Sequence, residues 1–123
     1  MNQTGYYVQL IFKGYLVSEK YKIYGAELSP YSVKTRSYFR YKNIPHEWLV
    51  RSPSNAEEFQ KYAKLPIVPL VITPDKQGIQ DSTPIMDKME ELFPEPKANP
   101  DDEVLNFISI LLEEYSDEWG NKH

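Results

Sequence analysis

The feature that most constrains the fold of this chain is a regular alternation of short strand-forming runs and helix-forming segments. Residues 21–26 alternate in the manner of a short strand. Ser29-Pro30 then provides an N-cap residue and a proline at the first helical position. The segments predicted in this way are strands at 21–26, 46–51, 70–73 and 79–80, and helices at 30–42, 56–64 and 85–93. Their order, β-α-β-α-β-β-α, predicts an α/β fold.

Turn residues separate the later segments. The stretch 65–69 is a loop punctuated by prolines, and 74–78 has the composition of a hairpin turn in which glycine is available for a positive φ. Ser82-Thr83-Pro84 is typical of the cap that precedes a helix. We therefore predict a hairpin of the last two strands that leads directly into the third helix.

A fourth helix is predicted after a linker at 94–98. Asn99 would be its N-cap and Pro100 its first residue, and the acids that follow suit the positive end of the helix dipole. Its apolar residues form a stripe that is too wide for a helix lying free in water. The stripe consists of Val104, Leu105, Ile108, Leu111, Leu112, Tyr115 and Trp119.

The composition excludes several classes of function. A chain of 123 residues has room for one domain, or for one domain and part of another. It contains no cysteine and two histidines, which excludes disulfides, zinc–thiolate sites, redox chemistry on its own sulfur and histidine-rich metal sites. No segment approaches the roughly 18 consecutive apolar residues of a membrane-spanning helix, and the N-terminus does not resemble a signal peptide. We expect no metal, no membrane association and a cytoplasmic location.

One basic stretch leaves two interpretations open. Residues 34–42 mix lysine and arginine with aromatic residues, as nucleic-acid-binding segments do. An amphipathic helix with a solvated charged face gives the same pattern. The net charge of −4 favours the helix, because an acidic protein repels the phosphate backbone. We therefore expect no nucleic-acid partner.

Several motifs occur in order along the chain, namely Ser29-Pro30-Tyr31, Arg36, 43–47, 67–70 and 80–85. They resemble the N-terminal domain of glutathione transferases, and in particular its omega-type and bacterial omega-like branches. The resemblance implies a thioredoxin-like β-α-β-α-β-β-α domain at 21–97. It also implies that 98–123 contains the first helix of the family's all-α domain, of which this chain holds only a part. Residues 1–20 would be an N-terminal extension, either a hairpin of 7–12 with 15–17 or a poorly ordered segment.

The resemblance implies that Ser29 occupies the position of the family's catalytic cysteine or serine. At that position a hydroxyl and the N–H groups of a helix N-terminus stabilise the thiolate of glutathione, whose thiol has an ordinary pKa of about 8.5. Alternatively, Ser29 is only a helix N-cap. Serine forms no mixed disulfide, and Ser32 replaces the second cysteine of thioredoxin-type motifs, so conjugation or plain binding is favoured over thiol exchange.

The resemblance also implies which residues bind the rest of glutathione. A cis bond before Pro69 would turn the Val68 backbone toward the ligand's cysteinyl backbone; alternatively, Pro69 is a trans turn proline. The Ser82 hydroxyl and the helix N-terminus would hold the γ-glutamyl carboxylate, and Asp81 would accept from the α-ammonium group. Alternatively, both residues only cap the helix.

Three other residues are candidates for this site. Arg36 and Lys64 are expected to be structural or solvated, although Lys64 lies close in sequence to the Pro69 loop. Tyr24 is on the first strand, and some related families use a tyrosine to hold the thiolate. Its register does not suit that role.

The sequence therefore predicts a glutathione transferase-like domain that binds glutathione as a substrate and stabilises its thiolate for transfer to an electrophile. Its further partner would be a second copy of the chain, in a homodimer, or the missing helical domain. The alternative is a non-catalytic glutathione-binding or protein-interaction module that pairs through the 100–119 helix.

Overall fold

A four-stranded sheet lies at the centre of the structure, a computed structural model that describes residues 19–120. Its strands are β1 (Tyr21–Gly25), β2 (His46–Val50), β3 (Leu70–Ile72) and β4 (Gly78–Gln80). They lie side by side in the order β2-β1-β3-β4. β1 runs parallel to β2 and antiparallel to β3, which is antiparallel to β4. This topology confirms the predicted α/β, thioredoxin-like fold.

Four helices follow the strands, and each overlaps a predicted helix. They are α1 (Pro30–Tyr41), α2 (Ala56–Tyr62), α3 (Ser82–Leu92) and α4 (Glu103–Tyr115). A 3₁₀ turn at Pro53–Asn55 precedes α2, and a turn of π-helix at Ser116–Gly120 follows α4. The element order β-α-β-α-β-β-α is therefore confirmed for 21–92. Within residues 19–120, no helix is long and apolar enough to cross a membrane.

Two of the predicted helix starts were wrong. Helix α3 begins at Ser82 with Asp81 at the N-cap, because a proline at the third helical position removes only an N–H that has no intrahelical acceptor. Helix α4 begins at Glu103 and not at Pro100. The reason is the Asp102 carboxylate, which accepts from the N–H groups of both Val104 and Leu105, at 3.0 and 2.9 Å.

The sheet carries an apolar core on each of its two faces. The alternation of side chains along a strand sends Ile23 to one face and Tyr24 to the other. Helices α1 and α3 cover the first face, and α2 covers the second. The first core contains Tyr21, Ile23, Tyr38, Phe39, Ile44, Val71, Ile85, Met89 and Phe93. The second contains Tyr24, Phe59, Leu70 and Ile72.

The hairpin turn between β3 and β4 differs from the prediction. Its residue with positive φ is Lys76, at 63°, and not Gly78. Glycine is instead required at position 78 for steric reasons, because a Cβ at this position would lie 2.4 Å from the backbone oxygen of Tyr62. The glycine therefore permits close packing of β4 on the C-terminal end of α2.

The expectation of a solvated charged face on the first helix was wrong at Lys42. This side chain, at the C-terminal end of α1, is fully buried. Its ammonium group donates to the carbonyl oxygen of Phe93 at 2.7 Å and pairs with Glu90 at 2.8 Å. Tyr38 donates to the same carboxylate. Lys42 therefore joins α1 to α3 from inside the protein.

Helix α4 lies beside α1 with its polar side inward. Lys34 of α1 pairs with Glu113 at 2.8 Å and with Asp117 at 2.7 Å, and the Tyr31 hydroxyl donates to the backbone oxygen of Asp117. The predicted apolar stripe points outward, and each of its large side chains is between 43% and 67% exposed. We call this surface the outer face of α4. It comprises Val104, Leu105, Phe107, Ile108, Ile110, Leu111, Leu112, Tyr115 and Trp119. The hairpin considered for the N-terminal extension falls within 1–18, outside the described residues.

Candidate functional site

Three loops meet at one edge of the sheet, as the order of elements predicted. Tyr24 of β1 pairs with Leu70 of β3, and Leu70 pairs with Gln80 of β4. Consequently the end of β1, the start of β3 and the end of β4 lie at the same edge. The residues beyond these strand ends are the candidate site residues, namely Ser29, Val68, Pro69, Asp81 and Ser82.

The Val68-Pro69 and Asp81-Ser82 pairs are joined directly. The N–H group of Asp81 donates to the backbone oxygen of Pro69 at 3.3 Å. The bond between Val68 and Pro69 is cis, which is the alternative that the family resemblance implied. Within residues 19–120, no group hydrogen-bonds to the N–H or C=O of Val68. A half-buried stretch of backbone is therefore available to pair with an extended ligand.

Ser82 has the properties of a ligand-binding group. It is 1% exposed, and its hydroxyl has no hydrogen-bond partner among the described residues. Leaving a buried hydroxyl unsatisfied costs free energy, so such a group needs an explanation. Ser82 is also the first residue of an eleven-residue helix, whose terminal N–H groups favour an anion.

Asp81 precedes Ser82 in an unusual backbone conformation. Its φ is 75°, a region that residues other than glycine seldom adopt. Its side chain is exposed and makes no capping hydrogen bond to α3. The carboxylate is thus free to accept from a cation in front of the helix, and the interpretation of Asp81 as a mere side-chain cap does not fit its geometry.

Ser29 is the N-cap of α1, as predicted. Its Oγ accepts from the N–H of Ser32 at 3.3 Å. A serine hydroxyl has one donor and two acceptor sites, so the capping bond leaves the hydrogen of Ser29 available for donation. The first turn of α1 contains no acidic residue that would repel an anion. The cap and an anion-stabilising donor are therefore compatible roles.

The loop that carries Ser29 is held by Arg36. Its guanidinium donates to both oxygens of Glu27, at 3.1 and 3.2 Å, and lies 4.3 Å from the ring centroid of Trp48. Trp48 also donates to Glu27. These hydrogen bonds, that of Arg36 above all, hold the pKa of Glu27 below its ordinary value. Arg36 is therefore a structural residue, as predicted.

Tyr24 is not part of the site. It is fully buried, and its hydroxyl donates to Glu58 on the α2 side of the sheet. Burial and the bond to Glu58 raise the pKa of the phenol well above its ordinary value. A hydroxyl that already donates to a carboxylate has no second proton for a thiolate. This agrees with the unsuitable register inferred from the sequence.

Sequence reasoning missed Gln80, the last residue of β4. Its Oε1 accepts from the N–H groups of Lys64 and Leu65, at 2.7 and 3.0 Å. Its Nε2 donates to the carbonyl oxygens of Leu65 and Ile67, at 2.8 and 3.0 Å. No local motif marks a glutamine that binds a distant loop, so the sequence offered no signal for this contact. The side chain of Lys64 is exposed.

The chain matches a protein-family model over residues 23–97. That model is described as glutathione S-transferase, N-terminal domain. No curated protein sequence matches the chain.

Solved structures of similar fold include three glutathione transferases. A tau-class enzyme from mango, Mangifera indica, is 24% identical with a TM-score of 0.69, and the match covers 84% of this chain and 48% of that one. An enzyme from Methylobacterium radiotolerans in complex with glutathione sulfonate is 24% identical with a TM-score of 0.70, covering 80% and 47%. The omega 1C transferase of Trametes versicolor is 15% identical with a TM-score of 0.65, covering 80% and 48%. The chain thus spans about half the length of these proteins.

Proposed function

This chain belongs to the family of glutathione S-transferase N-terminal domains, and from that premise we propose that it binds glutathione at the sheet edge described above. The observation that carries the proposal is the buried hydroxyl of Ser82 at the N-terminus of α3, which has no hydrogen-bond partner within residues 19–120 and lies next to the exposed Asp81 carboxylate. We assign the glutathione-binding domain to 21–97 and the start of a helical domain to 98–123. We further assign the domain to the omega-like branch, on the Ser29-Pro30-Tyr31 and Arg36 motifs.

The residues present fit the polar groups of glutathione. The Ser82 hydroxyl and the N–H groups of α3 suit the γ-glutamyl carboxylate, since a helix N-terminus favours an anion. Asp81 suits the α-ammonium group through a charge-assisted hydrogen bond. The Val68 N–H and C=O suit the cysteinyl backbone, which would add to the sheet edge as a short strand.

Ser29 is proposed to stabilise the thiolate of bound glutathione. Each unit by which the thiol pKa falls requires about 1.4 kcal/mol of preferential stabilisation of the anion. The Ser29 hydroxyl and the N–H groups of α1 would supply this by hydrogen bonding as the thiol proton passes to solvent. Since the chain has no cysteine, we expect conjugation of glutathione to an electrophile or glutathione binding alone, and no disulfide exchange.

The test of binding is calorimetric titration of glutathione into the parent protein and into Asp81→Ala and Ser82→Ala variants. Each variant loses a hydrogen bond to a charged ligand group worth about 1.5–3 kcal/mol, so affinity should fall about tenfold or more. Asp75→Ala, which removes an exposed aspartate from the hairpin turn, is the matched control and should bind like the parent. Unchanged dissociation constants in the Asp81 and Ser82 variants would contradict the assignment.

The role of Ser29 is separable from binding. Ser29→Ala should leave glutathione affinity nearly intact while raising the pKa of the bound thiol, read from thiolate absorbance against pH. Ser29→Cys should gain mixed-disulfide formation that the parent lacks. If Ser29→Ala has the same bound-thiol pKa as the parent, Ser29 is only a cap.

A second function is favoured by one observation, the outer face of α4. We propose that the chain pairs with a second copy of itself through this face, because a two-fold contact needs only one self-complementary patch. The exposed apolar side chains of the outer face of α4 form a larger apolar patch than a soluble monomer usually carries. Leu111→Lys with Leu112→Lys should convert a micromolar dimer to monomer in sedimentation while glutathione binding persists. Val50→Lys, at another exposed apolar residue, should not. A monomeric parent would rule out the pairing.

A further inference from the structure

We propose that Gln80 is a positioning residue for the glutathione site, because its side chain holds the segment that leads into Val68. The segment, here called the 64–67 loop, comprises residues 64–67, which lie outside any helix or strand and are all exposed. The inference rests on the proposed function, since it concerns the same site. It adds a residue that no motif of the sequence marked.

The geometry of the amide is what distinguishes Gln80 from an ordinary strand residue. A glutamine side chain has two N–H donors and one oxygen with two lone pairs. All four of these positions are used, and every partner is a backbone group of the 64–67 loop, at 2.7 to 3.0 Å. The amide therefore fixes the path of the loop as a strand would, although no strand lies there.

Gln80 connects the two halves of the site. In sequence it directly precedes Asp81, and the loop that it holds directly precedes Val68. Within residues 19–120 one other side chain hydrogen-bonds to the loop backbone, since the Arg51 guanidinium donates to the oxygen of Pro66 at 2.8 Å. Arg51, however, follows β2, on the far side of β1 from the Asp81 half. Among the hydrogen bonds within residues 19–120, those of Gln80 link the loop to β4, the strand from which Asp81 emerges.

This arrangement should matter for affinity because a ligand that pairs with Val68 needs that backbone ordered before it binds. If the 64–67 loop were released, part of the binding free energy would be spent on ordering it. The expected result is weaker binding without any loss of a direct ligand contact. We expect an effect of about tenfold when all four hydrogen bonds are removed.

The experiment compares the full chain with Gln80→Met, which removes every hydrogen bond, and Gln80→Glu, which keeps the acceptors but loses both donors. Gln60→Met, at an exposed glutamine of α2, is the matched control. Two quantities are measured, the glutathione dissociation constant and the exchange rates of the amide hydrogens of Lys64, Leu65 and Val68. Urea unfolding identifies any variant that is not folded, and the other variant is then used.

In the parent, the Lys64 and Leu65 amides should exchange slowly without ligand, and glutathione should slow exchange at Val68. Gln80→Met should speed exchange at Lys64 and Leu65, weaken glutathione binding about tenfold and reduce the protection of Val68. Gln80→Glu should keep Lys64 and Leu65 protected and bind with intermediate affinity. Gln60→Met should match the parent throughout.

Two failures are distinguishable. If the parent binds no glutathione, the proposed function fails, and this inference fails with it. If the parent binds glutathione and both Gln80 variants bind equally well with the same protection of Val68, the proposed function stands and the positioning role of Gln80 is overturned.

Discussion

Helices α3 and α4 both lie beside α1, but opposite sides of the two helices are buried. Helix α3 packs its apolar side on the sheet and buries Ile85 and Met89, with Phe93 just beyond its end. Helix α4 approaches α1 with acids, and its apolar residues form the outer face. Both helices are amphipathic, so they differ in which side packs against the rest of the protein. In α3 it is the apolar side, and in α4 it is the polar side.

The difference teaches that sequence amphipathicity does not measure how firmly a helix is attached. Each apolar side chain that α3 buries stabilises the fold by about 1.5–3 kcal/mol, before the cost of ordering it. The ion pairs of Lys34 that hold α4 are partly exposed, and such pairs contribute about 0.2–1 kcal/mol each. We expect α4 to be the weakly attached helix unless something covers its outer face.

The largest effect should come from breaking the buried ion pair between α1 and α3. Glu90→Ala leaves the fully buried Lys42 ammonium without its carboxylate partner, in contact with the Phe93 carbonyl and the Tyr38 ring. Removing one partner of a buried pair costs about 3–5 kcal/mol, and the partial exposure of Glu90 favours the lower end. The free energy of unfolding, measured in urea, should fall by roughly that amount.

The control for this variant exploits the asymmetry of such pairs. Lys42→Met removes the buried charge and leaves Glu90, which reaches solvent and still accepts from Tyr38. Replacing a buried charge by an apolar side chain of similar shape is often nearly neutral. If Lys42→Met and Glu90→Ala lower the free energy of unfolding equally, the loss of apolar contacts, and not the uncompensated charge, causes the destabilisation at the contact between α1 and α3.

A smaller effect on stability is expected at the contact between α1 and α4, where Lys34 pairs with Glu113 and Asp117. Lys34→Ala should weaken the attachment of α4 by about 0.2–1 kcal/mol per ion pair and leave the unfolding free energy of the sheet domain almost unchanged. Amide exchange should accelerate within 106–117 and not within α3. Lys88→Ala, which breaks an exposed ion pair on α3, should change neither region. Global destabilisation by Lys34→Ala would show that α4 is an integral part of the domain.

The smallest expected effects on stability are those of pH. They have opposite signs at the contact between α1 and α3 and at the contact between α1 and α4. Burial raises the pKa of Glu90, but hydrogen bonds from Lys42 and Tyr38 outweigh it and hold the pKa below 4.5. Its contribution to stability is therefore complete above about pH 4.5 and lost as pH falls through the lower, folded value. Burial lowers the pKa of Lys34, but bonds to Asp117 and Glu113 raise it above 10.5.

The docking of α4 should then be complete below about pH 10.5 and weaken as pH rises through the higher, folded value. Urea unfolding of Glu90→Gln should depend less on acid pH than unfolding of the parent does. The protection factors of the α4 amides, which are exchange rates corrected for the intrinsic base-catalysed rate, should likewise lose their dependence on alkaline pH in Lys34→Met. If the pH profile of either variant equals that of the parent, the replaced group does not cause the pH dependence of that helix contact.

Local sequence signals predicted the order of strands and helices because caps, prolines and alternation are local. The N-cap role of Ser29 and the apolar stripe of α4 were predicted in this way, whereas the cis bond before Pro69 was one of two alternatives and followed from the family resemblance. The burial of Lys42 and the loop contacts of Gln80 were not, because each depends on residues far along the chain. The start of α4 was placed too early because Asn99 and Asp102 are both good caps, and the hydrogen bonds of Asp102 decide between them.

The position of β1 in the sheet has a consequence for biosynthesis. This strand comes first among the described elements, yet it lies in the middle, with β2 on one side and β3 on the other. On a ribosome that adds about 5–20 residues per second, β1 would wait seconds for β3 to emerge, with one hydrogen-bonding edge open. An unpaired edge that carries Ile23 and Tyr24 is a place where nascent chains associate wrongly. The order of synthesis and the order of assembly thus conflict in this fold, and a chaperone that shields the emerging N-terminal half would relieve the conflict.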